Sequence, residues 1–189
     1  MNKTQLRQLY LSKRKNLTPT QVDKYSQTIS NRFFSNFNLS KITNLHIFLP
    51  ILKHNEINTW FIIKELRQNY PHISLITSKS DFQFHTMESY IFEDDTQIIE
   101  TSLGIPEPYN AVKFDNIIDM ILIPLLCFDQ SGFRVGYGKG FYDRFLLNCN
   151  QNIIKIGLSL FEPIDKIDDV DKFDLKMDFC VTTCQVLKT

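Results

Sequence analysis

Four of the chain's 6 glycines fall in one stretch, SGFRVGYGKGFYDRF, at Gly132, Gly136, Gly138 and Gly140. Arg134 and Lys139 stand among them, and Tyr142, Asp143 and Arg144 close the run. Closely spaced glycines let backbone N–H groups converge on one point, which makes a concavity for an anion at the start of a helix. The two cations add charge suited to phosphate oxygens, the arginine with a planar fork that can bind two of them. The chemistry indicated is the holding of a phosphate group, and the alternative is a turn whose cations face water.

Two common phosphate loops do not fit these residues. A Walker loop requires glycine five residues before Gly138 and a hydroxyl residue after Lys139, where this chain has Phe133 and Gly140. The dinucleotide fingerprint requires a third glycine where Phe141 stands.

The elements around the loop place it. The apolar run IIDMILIP (117–124) precedes it and reads as the strongest strand; a helix through FYDRFLLNC follows. Further strands are expected at 45–50, 73–77, 88–93, 153–160 and 179–183. Helices are expected in KTQLRQLYLSKRKN, with Leu6, Leu9 and Tyr10 along one stripe, and in TPTQVDKYSQTISNRFFSNF behind a Thr-Pro start. A third helix is read in NEINTWFIIKELRQNY with Asn55 as its N-cap, and GIPEPYN is read as a loop. Strands apolar almost throughout, alternating with helices, indicate an α/β sheet covered on both faces. Ligands of such sheets sit beyond the carboxyl ends of the strands, where the glycine loop falls.

The chain has 189 residues, 43% apolar and 22% charged, enough for a single folded domain over 1–189. Its 21 basic and 21 acidic residues cancel, whereas a nucleic-acid-binding domain usually carries a basic excess. The longest apolar run, MILIPLLCF, falls far short of the ~20 residues a membrane span requires. The first residues lack the apolar core and cleavage site of a secretory signal. Cys127, Cys149, Cys180 and Cys184 form no CxxC pair and are read as free thiols of a reducing, cytoplasmic compartment.

The segment DMILIPLLCFDQSGFRVGYGKGFYDRFL resembles the signature of 5-formyltetrahydrofolate cyclo-ligases, also called methenyltetrahydrofolate synthetases. That signature runs as an apolar strand, Pro, an apolar triplet, Phe-Asp, then G-x-R-[LIV]-G-x-G-x-G-[YF]-Y-D-[RK]. Three further segments agree in order. Lys3 and Arg7 match a K-x-x-x-R on the first helix. FLPILKHNEINT matches a strand–Pro–Glu element with Ile51 and Glu56 at the substrate-contacting positions. FDLKMDFCVT matches a closing D-x-x-x-D, with Phe173 where the family commonly has His.

The resemblance implies a three-layer α/β sandwich with a mostly parallel central sheet flanked by helices, like the sugar-phosphate isomerases and CoA-transferases. It also implies an ATP- and magnesium-dependent ring closure of 5-formyltetrahydrofolate to 5,10-methenyltetrahydrofolate. Lys3, Arg7 and the run Arg134, Val135, Gly136, Tyr137, Gly138, Lys139, Gly140, Phe141 and Tyr142 would bind ATP. Arg134, Lys139 and Tyr142 would be catalytic, Ile51 and Glu56 would meet the folate, and Asp143 and Asp178 would hold Mg2+. The expected form is a monomer that binds reduced folate and ATP, and neither nucleic acid nor membrane. An isomerase or acyl-CoA transferase of the same fold would use no ATP, and a silent binder would give no turnover.

Overall fold

Polar side chains start both N-terminal helices. Asn2 and Gln5 form a reciprocal capping box for α1 (Lys3–Lys15), and Thr18 and Gln21 do the same for α2 (Pro19–Asn36), with Pro19 in the first turn. The computed structural model describes Met1–Thr189. Strand β1 (Asn44–His46) follows, then a 3-10 turn at Leu52–His54 and helix α3 (Trp60–Asn69). Two antiparallel hairpins come next, β2 (Ser74–Asp81) with β3 (Thr86–Ile91) and β4 (Gln97–Glu100) with β5 (Pro106–Tyr109). The rest of the chain supplies β6 (Met120–Pro124), β7 (Cys127–Phe128), β8 (Arg134–Val135), α4 (Phe141–Leu147), β9 (Ile154–Leu158), β10 (Phe179–Val181) and β11 (Val186–Lys188).

Seven strands form one sheet in the order β11-β10-β9-β6-β1-β2-β3. The pairings from β10 through β2 are parallel, and β11 and β3 add antiparallel edges. Strand β6 shows why its sequence is apolar without alternation. Met120 and Leu122 enter the core shared with Ile29 and Phe33 of α2 and Ile62 and Leu66 of α3, while Ile121 and Ile123 point the other way, toward Leu146 of α4. Both faces of the strand are covered, so both sets of positions are apolar. The expected three layers are present. No helix is long and apolar enough to cross a membrane.

A third apolar cluster fixes α1 across the carboxyl end of β6, with Leu6 and Tyr10 packed among Leu126, Cys127, Val135 and Ile167. Leu9, expected on the same stripe, is 38% exposed instead, and the buried side of α1 continues through Arg14. Three local readings change as well. Asn55 ends the 3-10 turn in the left-handed region (φ 53°), and α3 begins later, behind Thr59. The Asn55 amide is drawn away by the carbonyls of Arg14 (3.0 Å) and Leu17 (2.8 Å), which tie its loop to the end of α1. The segment read as a loop at GIPEPYN carries β5, and the glycine loop begins with the short ladder of β7 and β8.

Candidate active site

The carboxyl ends of β1 and β6 open into a cavity of about 650 Å3. Its walls come from α1, the segment after β1, both hairpins and the glycine loop. Helix α1 contributes Lys3, Arg7 and Arg14, which share a face because four- and seven-residue steps keep the side chains within about 40° of one another. The hairpins supply an apolar side with Phe82, Met87, Leu103 and Ile105. Phe82 meets Phe141 edge to face at 5.0 Å, so the hairpin wall continues into the glycine loop.

The cations at the other side are largely held by the chain's own oxygens. The ammonium of Lys3 pairs with Asp174 and lies 3.5 Å from Asp171. Burial pulls its pKa down, but the two carboxylates outweigh that and the net shift is upward. Arg7 donates through Nε to the Gly136 carbonyl at 3.0 Å and lies over Gly138, whose φ is +85°. A methyl group on Gly138 would sit 2.8 Å from the Arg7 guanidinium carbon. Arg134 spans two segments, giving one donor to the Leu175 carbonyl (2.8 Å) and another to Asp143 (2.7 Å). Two of its five N–H groups are thereby used. Lys139 is exposed, Val135 is buried in β8, and both line the cavity.

Among the lining carboxylates, Glu56 is 4% exposed. Its Oε2 accepts from the Ile51 amide at 2.8 Å and its Oε1 from the Tyr137 hydroxyl at 2.6 Å. Arg14, also 4% exposed, lies 3.9 Å from Oε1 and donates to the same hydroxyl. The pair of opposite charges makes the burial tolerable, since an isolated carboxylate in such a place would be strongly disfavoured. Tyr142 lines the same space; burial first, and the Glu56 charge second, push its hydroxyl well above the ordinary phenol range. It therefore stays protonated and can donate but not serve as a base at neutral pH.

Residues 1–183 match the sequence profile of the 5-formyltetrahydrofolate cyclo-ligase family. The chain belongs to this family. The cyclo-ligase of Mycoplasma pneumoniae is 27% identical over 96% of this chain and 98% of its own length. The yeast cyclo-ligase is 28% identical over a shorter alignment, 71% of this chain and 61% of that protein. The solved 5,10-methenyltetrahydrofolate synthetase of Aquifex aeolicus superposes over the whole chain and 93% of its own, with a TM-score of 0.82 and 26% identity.

The cyclo-ligase cavity brings together every sequence-predicted site residue except Asp178. Asp178 precedes β10 at the amino ends of the parallel strands, where its Oδ2 accepts from the Lys155 amide (2.7 Å) and pairs with the Lys155 ammonium (2.9 Å). The cavity lies at the opposite, carboxyl ends. Asp174 lines it instead, next in sequence to Leu175, whose amide reaches Asp143 at 3.3 Å. Phe173, in the place of the family's usual His, is 64% exposed and turned outward. The cavity lining holds two aspartates, Asp143 and Asp174, and Mg2+ uses one or two carboxylates with its other oxygens from phosphates and water. No cluster of three or more His, Cys, Asp or Glu forms an all-protein cage.

Sequence reasoning missed Arg14, although its seven-residue step from Arg7 was a readable signal. Nothing local marked the apolar hairpin wall. The four cysteines are free, and burial raises the Cys127 thiol to about 12, which makes it inert rather than reactive.

Proposed function

We propose that this protein closes the ring of 5-formyltetrahydrofolate to give 5,10-methenyltetrahydrofolate, with ATP converted to ADP and phosphate, and that the whole chain acts as one cyclo-ligase domain. The observation that carries this reading is a single cavity whose lining joins cations, two aspartates and glycine backbone to an apolar hairpin wall and a buried carboxylate.

The formyl group of the substrate is an amide, whose oxygen is a poor leaving group. Attack of that oxygen on the γ-phosphorus of ATP breaks the bond to ADP and converts the oxygen into a phosphate ester. N-10 then adds to the activated carbon, loses its proton, and phosphate departs with the former formyl oxygen. Such transfers depend on positioning and on stabilising charge at the phosphoryl oxygens. Lys3, Arg7, Lys139 and the amides of Gly136 to Gly140 are suited to the triphosphate, and Arg134 to the transferred group through its remaining donors. Glu56 is suited to accept from the pterin ring, with Ile51 and the hairpin apolar residues against its faces. Asp143 and Asp174 would hold magnesium, which supplies charge neutralisation on the phosphates when bound. The four free thiols support a cytoplasmic site of action.

The test is turnover of 5-formyltetrahydrofolate followed by the near-ultraviolet absorbance of the conjugated amidinium product. Product and ADP should appear in equal amounts, and only with ATP and magnesium present. Equal rates without ATP would overturn the mechanism.

A further inference from the structure

We propose that Tyr137 is a positioning residue that occupies the folate acceptor on Glu56 until substrate arrives, so that entry of the pterin releases the glycine loop. The proposal rests on the functional reading above. Both oxygens of Glu56 are engaged within the chain, Oε2 by the backbone amide of Ile51 beside its own turn and Oε1 by a side chain from a distant loop. The amide cannot leave without unwinding that turn. The Tyr137 hydroxyl can leave, and the donors that would replace it are those of the pterin, a ring N–H beside an exocyclic amine.

The partners of the hydroxyl make it a bridge. It donates to Glu56, accepts from Arg14, and its ring lies 5.3 Å from the Arg14 guanidinium carbon. Burial first, and the Glu56 charge next, raise its pKa, which keeps the proton in place. The residue as a whole is 41% exposed although its hydroxyl reaches the buried Glu56 and Arg14. The flanking glycines permit movement: a Cβ on Gly136 would meet nothing within 4 Å, and Gly138 holds φ +85°. Arg14 can remain behind as the countercharge of Glu56. Its Nε is buried without a partner, so the guanidinium keeps a spare donor when the hydroxyl leaves.

Residues 134–142 line the phosphate side of the same cavity, so the state of Tyr137 joins the two subsites. Folate at Glu56 and nucleotide at the loop then share one free-energy change, and each must alter the affinity for the other by the same factor. The experiment is calorimetric titration of 5-formyltetrahydrofolate, without nucleotide, into the wild-type protein and Tyr137→Phe, which removes the hydroxyl and keeps the ring. A non-hydrolysable ATP analogue with magnesium is then titrated with and without folate. The expected result is folate binding at least ~5-fold tighter in Tyr137→Phe, and a folate effect on nucleotide affinity that shrinks toward none. Equal or weaker folate binding by the variant, at an unchanged melting temperature, would overturn the latch. Absence of folate binding by the wild type would instead overturn the functional reading and the latch with it.

Discussion

The glycine loop has two halves that use the same residue type in different surroundings. In the first, Asp129 is 1% exposed and its carboxylate accepts from the amides of Ser131 and Phe133 (both 3.0 Å) and of Ile167 (3.1 Å). Gly132 completes that turn with φ +86°, and a Cβ there would fall 2.5 Å from the Thr189 hydroxyl oxygen. This half is packed against the chain's own ends. In the second, Gly138 and Gly140 also hold positive φ, yet what lies over them is the guanidinium of Arg7 and of Arg144, the far ends of flexible side chains. Glycine richness therefore marked two different things, a buried turn and the rim of a cavity. Only the neighbours of each glycine separate them.

The largest effect should come from the first half. Asp129→Ala leaves three amides without their acceptor, and hydrogen bonds to a charged group are worth ~1.5–3 kcal/mol each. We expect urea unfolding to report a loss of roughly 3 kcal/mol or more. A variant as stable as wild type but inactive would mean that both halves serve the ligand.

The layer beneath the second half should respond to pH. His46 is fully buried, packs 5.3 Å from Phe145 of α4, has no partner for Nδ1, and is held by burial at a pKa of about 3. Below the unfolded value of 6.5 the unfolded chain binds a proton that the folded chain refuses, so stability falls as pH drops from 6.5 toward 3. Between pH 7 and pH 5 this amounts to about 2 kcal/mol, and His46→Leu should flatten that part of the urea-derived profile. An unchanged slope in the variant would assign the acid sensitivity to other groups.

Changes in the second half should register in kinetics rather than in stability. Arg134→Lys keeps the charge but cannot reach both Leu175 and Asp143 with a fork, and turnover should fall at least ~10-fold, about 1.4 kcal/mol. Asp174→Asn should raise the magnesium concentration for half-maximal activity several-fold, whereas Asp178→Asn should leave it where it was. A reversal of those two would return the metal to the amino ends of the strands. The smallest contrast is between neighbours: Gly138→Ala should reduce turnover severalfold, because of its positive φ and the Arg7 contact, while Gly136→Ala should be close to neutral. Equal loss in both would mean that the backbone amides, not the conformations, set the rate.

What could be read from the residues alone lies within one element or one motif. The apolar runs announced a parallel sheet, because strands covered on both faces have no polar side to show. The Thr-Pro start located α2, and the K-x-x-x-R of Lys3 and Arg7 was placed on the first helix. The order strand, glycine loop, helix located the site, because the carboxyl end of a buried strand is where such sheets open.

The tertiary structure alone decided which distant groups meet. Asp174 and Asp178 are four residues apart, which in an extended chain is up to ~13 Å, more than the width of a metal site. Only the start of β10 beside β9 shows that Asp178 turns to Lys155 while Asp174 turns to Lys3. The same holds for Glu56, whose partners Arg14 and Tyr137 come from α1 and the glycine loop. Within a helix or strand the backbone repeat fixes which side chains are neighbours. Between segments that distance is set by how the sheet is crossed, and no local spacing records it.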